Sequence, residues 1–530
     1  MAAEKKVFTD SEFIELQVQR YRPRYLKEES EFKKCTTNAE RMNFFLNNEE
    51  EVAHIKSKIQ QIKPHVTKCD IRASALRKLG NVQFQNKNDK DALKLYTQSL
   101  SFAKSDEEVS FAYGNRSAAL FYMGFYEECL EDIDRAFKHG YSESRSAKLF
   151  KRKEDATKAY SSRKKVVKVK TYEIPQSEMN PSIQSARNCI EIQTNEKYGR
   201  HIVASRDIAI GEVLAVDKPY AVALHTDISS DRFLFCHECL KHCYNVIPCL
   251  NCNEALYCTE ACKAKAFQNY HKYECLILPY VGQLLGIKFD FWLFSLKITL
   301  LVMTEEKNDE TMYRSDRYKE ISELEDHSNA DSLEKTYVSA LLSANIFVLI
   351  KEKIKIFKEF VVFEEKFKEL FFSHQQMFKV NAVTIISSHE NDKFYTSVTG
   401  LAIYSFYSLF NHSCYPNTFW NTYESTMVVR ASLPIKKGEQ CFISYGPYFA
   451  YDDKTERQKR LQRLYRFTCG CRACEENWPK VTFLTAIVDH KDIKQVIKKL
   501  TENQALPPPR YILSLHKGLE TAYRILDGTS

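Results

Sequence analysis

Cysteine and histidine recur at metal-ligand spacing between residues 236 and 275: Cys236-x2-Cys239, Cys249-x2-Cys252, Cys258-x3-Cys262 and His271-x3-Cys275. Eight soft ligands in four pairs match two closed zinc sites, each of which takes four. A tight turn or one helical turn aims both members of a pair at one metal. Loops of this length hold no core without metal. Cys243 and His242 lie inside the cluster but out of register. Further along, Tyr404, Phe406, Tyr407, Asn411, His412, Tyr415, Tyr445 and Tyr448 crowd one stretch with rings and oriented oxygen and nitrogen groups. That set suits a transfer reaction that relies on positioning, a dry channel and an aromatic wall.

These residues need a scaffold. The chain has 530 residues, with 44% hydrophobic and 13% aromatic content, enough for about two to four globular domains. The polar start Met1-Ala-Ala-Glu-Lys-Lys has no signal-peptide core. The apolar runs Phe291–Met303 and Val338–Ile350 are read as too short to span a bilayer and as buried helices. An intracellular, soluble protein of cytoplasm and nucleus is expected, with no membrane partner. Seventeen cysteines there point to metal rather than disulfides. The formal charge is +8. Eleven thiolates on three dications would lower it to +3, so direct nucleic-acid binding is not expected.

Residues 1–70 read as charged helix. From about residue 72 a repeat emerges. Leu76, Leu79, Gly80, Asn81 and Phe84 precede Ala92, Tyr96 and Leu100; Asn115, Ala118, Ala119 and Gly124 precede Cys129, Ile133 and Ala136. The offset of 37 residues between Tyr96 and Ile133 is close to that of tetratricopeptide (TPR) helix pairs, and a weaker third unit starts near Ala147. An ordinary helical hairpin is the plainer alternative. Ser161–Lys170 is a basic linker: a solvated connector or continued helix, or a nuclear-import or phosphate-binding patch. Short β-branched runs at 202–204, 211–216 and 220–224 read as strands, which return at 382–387, 426–431 and 440–443. A helical stretch at about 276–378 and a helical end complete an α+β multidomain fold.

The cysteine-rich element resembles the MYND zinc finger at all eight ligand positions. That resemblance implies interleaved pairs: Cys236, Cys239, Cys258 and Cys262 on one zinc, and Cys249, Cys252, His271 and Cys275 on the other. It also implies either a peptide-binding role, often for proline-containing peptides, or a purely structural one. Residues 411–417 read Asn-His-Ser-Cys-Tyr-Pro-Asn, followed by a Gly-Glu-Gln strand, Tyr445 and Cys469-x-Cys471-x2-Cys474. With the strands split by the finger and a helical insert, residues 190–475 resemble the SMYD family, named for its SET and MYND domains. The helix pairs in front suggest its TPR-bearing branch.

The resemblance implies a protein-lysine N-methyltransferase using S-adenosyl-L-methionine on a histone or non-histone protein. Tyr445 would be the catalytic tyrosine. Tyr198, Gly199, Arg200, Asn381, Asn411, His412, Tyr445 and Phe467 would bind the cofactor. Cys414 would join Cys469, Cys471 and Cys474 on a third zinc, with the segment around Asn411 threaded through a later loop, a rare exception to unthreaded chains. The implied layout is 1–70 helical, 71–160 TPR-like, 161–185 linker, 186–235 first SET part, 236–275 finger, 276–378 insert, 379–450 catalytic core, 451–478 post-SET zinc loop and 479–530 C-terminal helices. His201 stands where the family typically has a second glycine. A side chain there crowds a backbone that must approach the cofactor. The alternative function is therefore a catalytically weak or inactive adaptor binding chaperone tails and peptides. TPR domains that hold acidic heat-shock chaperone C-termini use basic and amide positions matched here by Arg77, Asn81, Asn115, Lys148 and Arg152, with Arg77 in place of the usual lysine. Four-residue spacing puts Arg77 and Asn81, and likewise Lys148 and Arg152, on one helix face.

Overall fold

The computed structural model describes residues 4–63, 68–162, 172–225, 230–285, 290–305, 316–327, 331–354, 364–388 and 396–526. Most of the basic linker Ser161–Lys170 lies outside them. Three helices lead: α1 (Glu4–Phe32), α2 (Asn38–Leu46) and α3 (Glu49–Gln61). Thr37 and Glu40 form a capping box on α2, and Asn48 caps α3. These caps start a new helix twice within one charged stretch.

Next come α4 (Asp70–Gln85), α5 (Asp89–Phe102), α6 (Asp106–Tyr122), α7 (Tyr126–Lys138) and α8 (Glu143–Ser162), each joined to the next by a short turn. Gly80 and Gly114 are 34 residues apart and do the same work. A Cβ on Gly80 would stand 2.6 Å from the Tyr96 ring, and one on Gly114 2.6 Å from the Tyr141 ring. Only a residue without a side chain lets each helix approach so closely.

Six strands follow: β1 (Met179–Asn180), β2 (Ile183–Arg187), β3 (Ile190–Asn195), β4 (Gly199–Ala204), β5 (Val213–Asp217) and β6 (Ala221–Leu224). The cysteine-rich element contributes β7 (Ile247–Pro248), β8 (Leu256–Tyr257) and α9 (Glu260–Ala266). The insert contains α10 (Lys272–Leu285), α11 (Asp290–Glu305), α12 (Asp316–Ser322), α13 (Leu333–Lys353) and α14 (Glu364–Asn381). Strands resume as β9 (Val383–Ser388), β10 (Thr396–Ile403), β11 (Asn411–His412), β12 (Thr418–Tyr423), β13 (Thr426–Ala431) and β14 (Phe442–Ile443). The chain ends with α15 (Lys454–Tyr465), α16 (Arg472–Glu475), α17 (Ile493–Glu502) and α18 (Arg510–Leu526).

The sheets join what the sequence separates. The largest has the order β1-β2-β5-β13-β12, and a second has β6-β10-β9. Ala221–Leu224 pairs antiparallel with Gly400–Ile403, so the finger and insert are looped out of one β unit. β3 and β4 make a hairpin, and β11 pairs with β14 in parallel. Neither β10 nor β12 was anticipated. β10 opens on polar residues and β12 mixes polar with aromatic ones, and their partners lie in other parts of the chain or in the next strand.

The insert also carries the main apolar core. Tyr337 of α13 meets Tyr25, Phe32 and Phe45 edge-on, at 5.0–5.4 Å between ring centres, and donates to Glu28 at 2.6 Å. Helices α1 to α3 are thereby bound into the same core as the insert and the finger. Helix α13 corrects the expectation of a run too short to span a membrane. Its 21 residues are long and apolar enough by length and composition, yet 83% of its apolar window is buried within the protein. It is a core helix.

The helix pairs dock on the finger through a buried ion pair. Arg116 and Asp132 both have fully buried side chains and are joined by two bonds of 2.7 and 2.9 Å. Arg116 also donates to the Val246 carbonyl at 3.0 Å, and Arg135 to that of Asn245 at 3.0 Å. Phe125 lies on Tyr244 at 4.3 Å. Removing Arg116 leaves the buried Asp132 carboxylate with Arg135 alone, at 3.0 Å. Arg116→Ala should therefore cost about 3–5 kcal/mol, read as a lower denaturant midpoint in circular dichroism. Arg116→Met with Asp132→Leu should cost much less.

Candidate active site and metal centres

Three groups of four ligands converge: Cys236, Cys239, Cys258 and Cys262; Cys249, Cys252, His271 and Cys275; and Cys414, Cys469, Cys471 and Cys474. Within each group the ligand atoms lie within 4.8 Å of one another. Contacts such as Cys239–Cys258 at 3.7 Å and Cys249–Cys275 at 3.9 Å crowd thiol on thiol. Four sulfurs, or three and an imidazole, in that span are a tetrahedral zinc donor set. The interleaving in the finger is therefore a property of the fold. Thr259 caps α9 and accepts the Cys262 N–H, which fixes Cys258 and Cys262 over one helical turn. A π-turn at Phe267–His271 then leads into α10 and aims His271 and Cys275 together.

Two partners of the second site were missed in the sequence. Glu274 accepts from His271 Nδ1 at 2.9 Å and from His237 Nε2 at 3.0 Å. That bond puts the His271 proton on Nδ1 and leaves Nε2, 3.5 Å from Cys252 Sγ, free for metal. Lys297 of α11 donates to the His237 carbonyl at 3.4 Å, tying the finger to the insert. The signal for Glu274 was its position one helical turn after His271; the other contacts are too distant in sequence to show.

The third site sits against the aromatic stretch. The Cys414 N–H points at Cys471 Sγ at 3.4 Å, and Cys414 Sγ is 3.5 Å from Cys474 and 3.9 Å from Cys469. Arg457, fully buried on α15, donates to Cys474 Sγ at 3.6 Å and to the Ala473 carbonyl at 3.1 Å. It too was missed, because a helical arginine gives no sign of facing a thiolate.

His412 connects this site to Tyr445. Its Nδ1 accepts the Tyr445 N–H at 3.0 Å, so the ring proton belongs on Nε2, which faces Cys414 Sγ at 3.3 Å. Burial holds its pKa down, to about 4. The Tyr445 hydroxyl donates to the Phe410 carbonyl at 2.9 Å, and its ring lies against Tyr465 at 4.7 Å. Burial pushes this phenol well above its ordinary range. Asp217 holds the chain just upstream by accepting the N–H groups of Phe406 and Tyr407 at 3.1 and 2.9 Å. Burial pushes its carboxyl up to about 6, against those bonds and one from Ser185.

The residues expected around a cofactor are partly assembled. Asn411 donates to the Tyr198 carbonyl at 3.2 Å, joining β11 to the turn between β3 and β4. Phe467 stands edge-on to His412 and Tyr445, at 6.1 and 6.3 Å. Gly199 has φ +60° and open space where a side chain would stand. The His201 ring turns inward. It is 4% exposed, and its Nδ1 is 2.9 Å from the Gly199 carbonyl. The departure from glycine therefore fills the base of the hairpin and does not narrow the open face at Gly199. Asn381 ends α14, and its amide is committed to the carbonyls of Glu325 and Met377 at 2.7 and 3.0 Å. Arg200 is bonded to Glu323. An open glycine backbone, a half-exposed amide and an aromatic wall are a donor set that fits an adenosyl sulfonium.

The expected acidic-peptide positions are only partly presented. Asn115 donates to Asn81 at 2.8 Å. Arg77 is already paired with Glu108 through two bonds of 3.2 Å. Arg152 donates inward to the Gly114 carbonyl and to Ser117, at 2.9 and 2.8 Å. Lys148 is exposed. The Arg77 charge is thus neutralised where a carboxylate was expected to meet it.

The SET domain model matches residues 199–446. Protein-lysine N-methyltransferase SMYD4 of Mus musculus is 26% identical over 532 residues, covering 75% of this chain and 66% of its own. The N-lysine methyltransferase SMYD2-B of Xenopus laevis is 30% identical over 280 residues, or 52% of this chain and 58% of its own. The chain thus spans about two thirds of the length of the first of these relatives. A solved SET domain of LSMT bound to lysine and AdoHcy overlaps 54% of each chain at 13% identity, with a TM-score of 0.25.

The grouping of ligands has a direct test. Atomic absorption should find three zinc ions per chain, one for each four-ligand group. Cys414→Ser should lose one ion and keep the two in the finger, with faster amide exchange at 469–478. Loss of finger zinc instead would contradict the partition.

Proposed function

We propose, from the premise that this chain belongs to the SMYD family of SET-domain proteins, that it is a protein-lysine N-methyltransferase using S-adenosyl-L-methionine. The observation that carries this is the fixing of Tyr445 at both ends: its N–H on His412 and its hydroxyl on the Phe410 carbonyl. Tyr198, Gly199, Arg200, Asn411, His412 and Phe467 would hold the cofactor, with Asn381 at the edge. When bound, it supplies a methyl group on a sulfonium.

The protein's part is orientation. Tyr445 stays protonated at neutral pH, because burial disfavours its phenolate. It is therefore no base. Its hydroxyl proton is committed to Phe410, which leaves the oxygen lone pairs to accept from an incoming amine N–H. Tyr407, Tyr465 and Phe467 around it supply an apolar wall suited to a lysine chain and exclude water, which favours a neutral amine.

The flanking modules are part of the same proposal. We read residues 236–275 as a MYND finger, supported by its two interleaved sites. A proline-containing peptide is its proposed partner. We read α4 to α8 as TPR units, supported by the 34-residue recurrence of Gly80–Asn81 at Gly114–Asn115. An acidic chaperone tail is the proposed ligand there, with Asn81, Asn115, Lys148 and Arg152 as donors and Arg77 released from Glu108. Thiols gathered into metal sites suit a reducing compartment, hence cytoplasm and nucleus.

Calorimetry on the pure protein should show AdoMet binding; its absence would sink the enzyme reading. Tyr445→Phe should lower methyl transfer about 100-fold, the scale of losing one positioned hydrogen-bonding group, while the protein stays folded and loses only about 1–2 kcal/mol through the unpaired Phe410 carbonyl. For the helix pairs, a peptide ending in Glu-Glu-Val-Asp should bind the full chain at micromolar concentration. Lys148→Ala with Arg152→Ala should weaken that binding at least tenfold, and unaltered affinity would reject the clamp.

A further inference from the structure

Asp331 precedes the first residues of α13, far in sequence from every motif so far assigned. Its side chain is 8% exposed. Each carboxylate oxygen takes one cation: Oδ2 accepts from Lys379 Nζ at 3.0 Å, and Oδ1 from the Arg466 guanidinium. Lys379 lies two residues before Asn381. Arg466 lies immediately before Phe467. One buried acid in the insert therefore holds both segments that end in expected cofactor residues.

The bond to Arg466 acts on a strained point. Arg466 ends α15 with φ +61° and ψ +25°, the left-handed region that a side chain disfavours. Its second anchor is the Arg463 carbonyl at 2.8 Å. Together these set the direction in which the chain leaves α15, and so where the Phe467 ring meets His412 and Tyr445. Neighbouring residues act alike. Glu325 offers its carbonyl to Asn381, and Glu323 receives Arg200 from the β3–β4 hairpin. Three walls of the expected pocket are tied to one part of the insert.

We propose that Asp331 is the positioning residue of the cofactor pocket. It acts through Arg466 and Lys379 and touches neither substrate nor cofactor. The inference rests on the methyltransferase reading for the ligand, but the coupling itself does not.

The test uses the full chain with zinc retained, as Asp331→Asn and Asp331→Glu. In Asp331→Asn, amide exchange should quicken at 379–382 and at 463–468 together, with zinc content unchanged. KM for AdoMet should rise about tenfold while kcat and KM for the protein substrate change less than twofold. Asp331→Glu should recover most of both effects. If Asp331→Asn misfolds, Asp331→Glu alone should show the same two segments loosened in milder form. Exchange that changes in neither segment, or in one alone, overturns the proposal, as does a wild-type KM for AdoMet in Asp331→Asn. If the wild type binds no AdoMet, the proposed function falls by itself, and the paired exchange still decides whether Asp331 couples the segments.

Discussion

A single imidazole joins the third group of four cysteines to Tyr445. His412 receives the Tyr445 N–H on one nitrogen and faces the Cys414 sulfur with the other. Both bonds hold only for one tautomer of a neutral ring, which burial favours. A metal held by Cys414 would fix the ring, and the ring fixes the turn that carries Tyr445. The Asn-His-Ser-Cys stretch faces both the cysteine group and Tyr445, across a short parallel pairing of β11 and β14.

Around that link, buried charged groups tie separate parts of the chain together. Asp217 captures two backbone N–H groups upstream of Asn411. Arg457 supports the sulfurs downstream. Arg116 reaches from the helix pairs to a finger carbonyl, and Lys297 from the insert to another. Each spends a charge on a backbone group, so each is satisfied only when two parts of the chain meet in one geometry.

Metal ligands were legible because soft residues in close pairs leave few other readings. Asn411, His412, Tyr445 and Cys414 were legible as a group, and the fold brings them together. The role of the His412 side chain was not, since a histidine gives no sign of which groups its two nitrogens meet. Asp331 left no trace, because its partners lie 48 and 135 residues away and share no period with it. Strand β12 lacked the aliphatic run that marked β4 and β5, and the short run at 401–403 in β10 follows a polar start at Thr396 and Ser397. Arg77 was expected to meet a ligand carboxylate, but the carboxylate that occupies it, Glu108, sits two helices on, in α6.

The separation of 55 positions between Cys414 and Cys469 carries a consequence for synthesis. As the chain emerges, both finger sites are complete in sequence by Cys275, well before Tyr445 exists. Domains begin to fold as they leave the ribosome. The nascent protein can therefore bind two metals and bury its helical core while β6 still waits for β10. Cys469, Cys471 and Cys474 emerge last, so the third group of four ligands can close only after both finger groups and the helical core have had time to form.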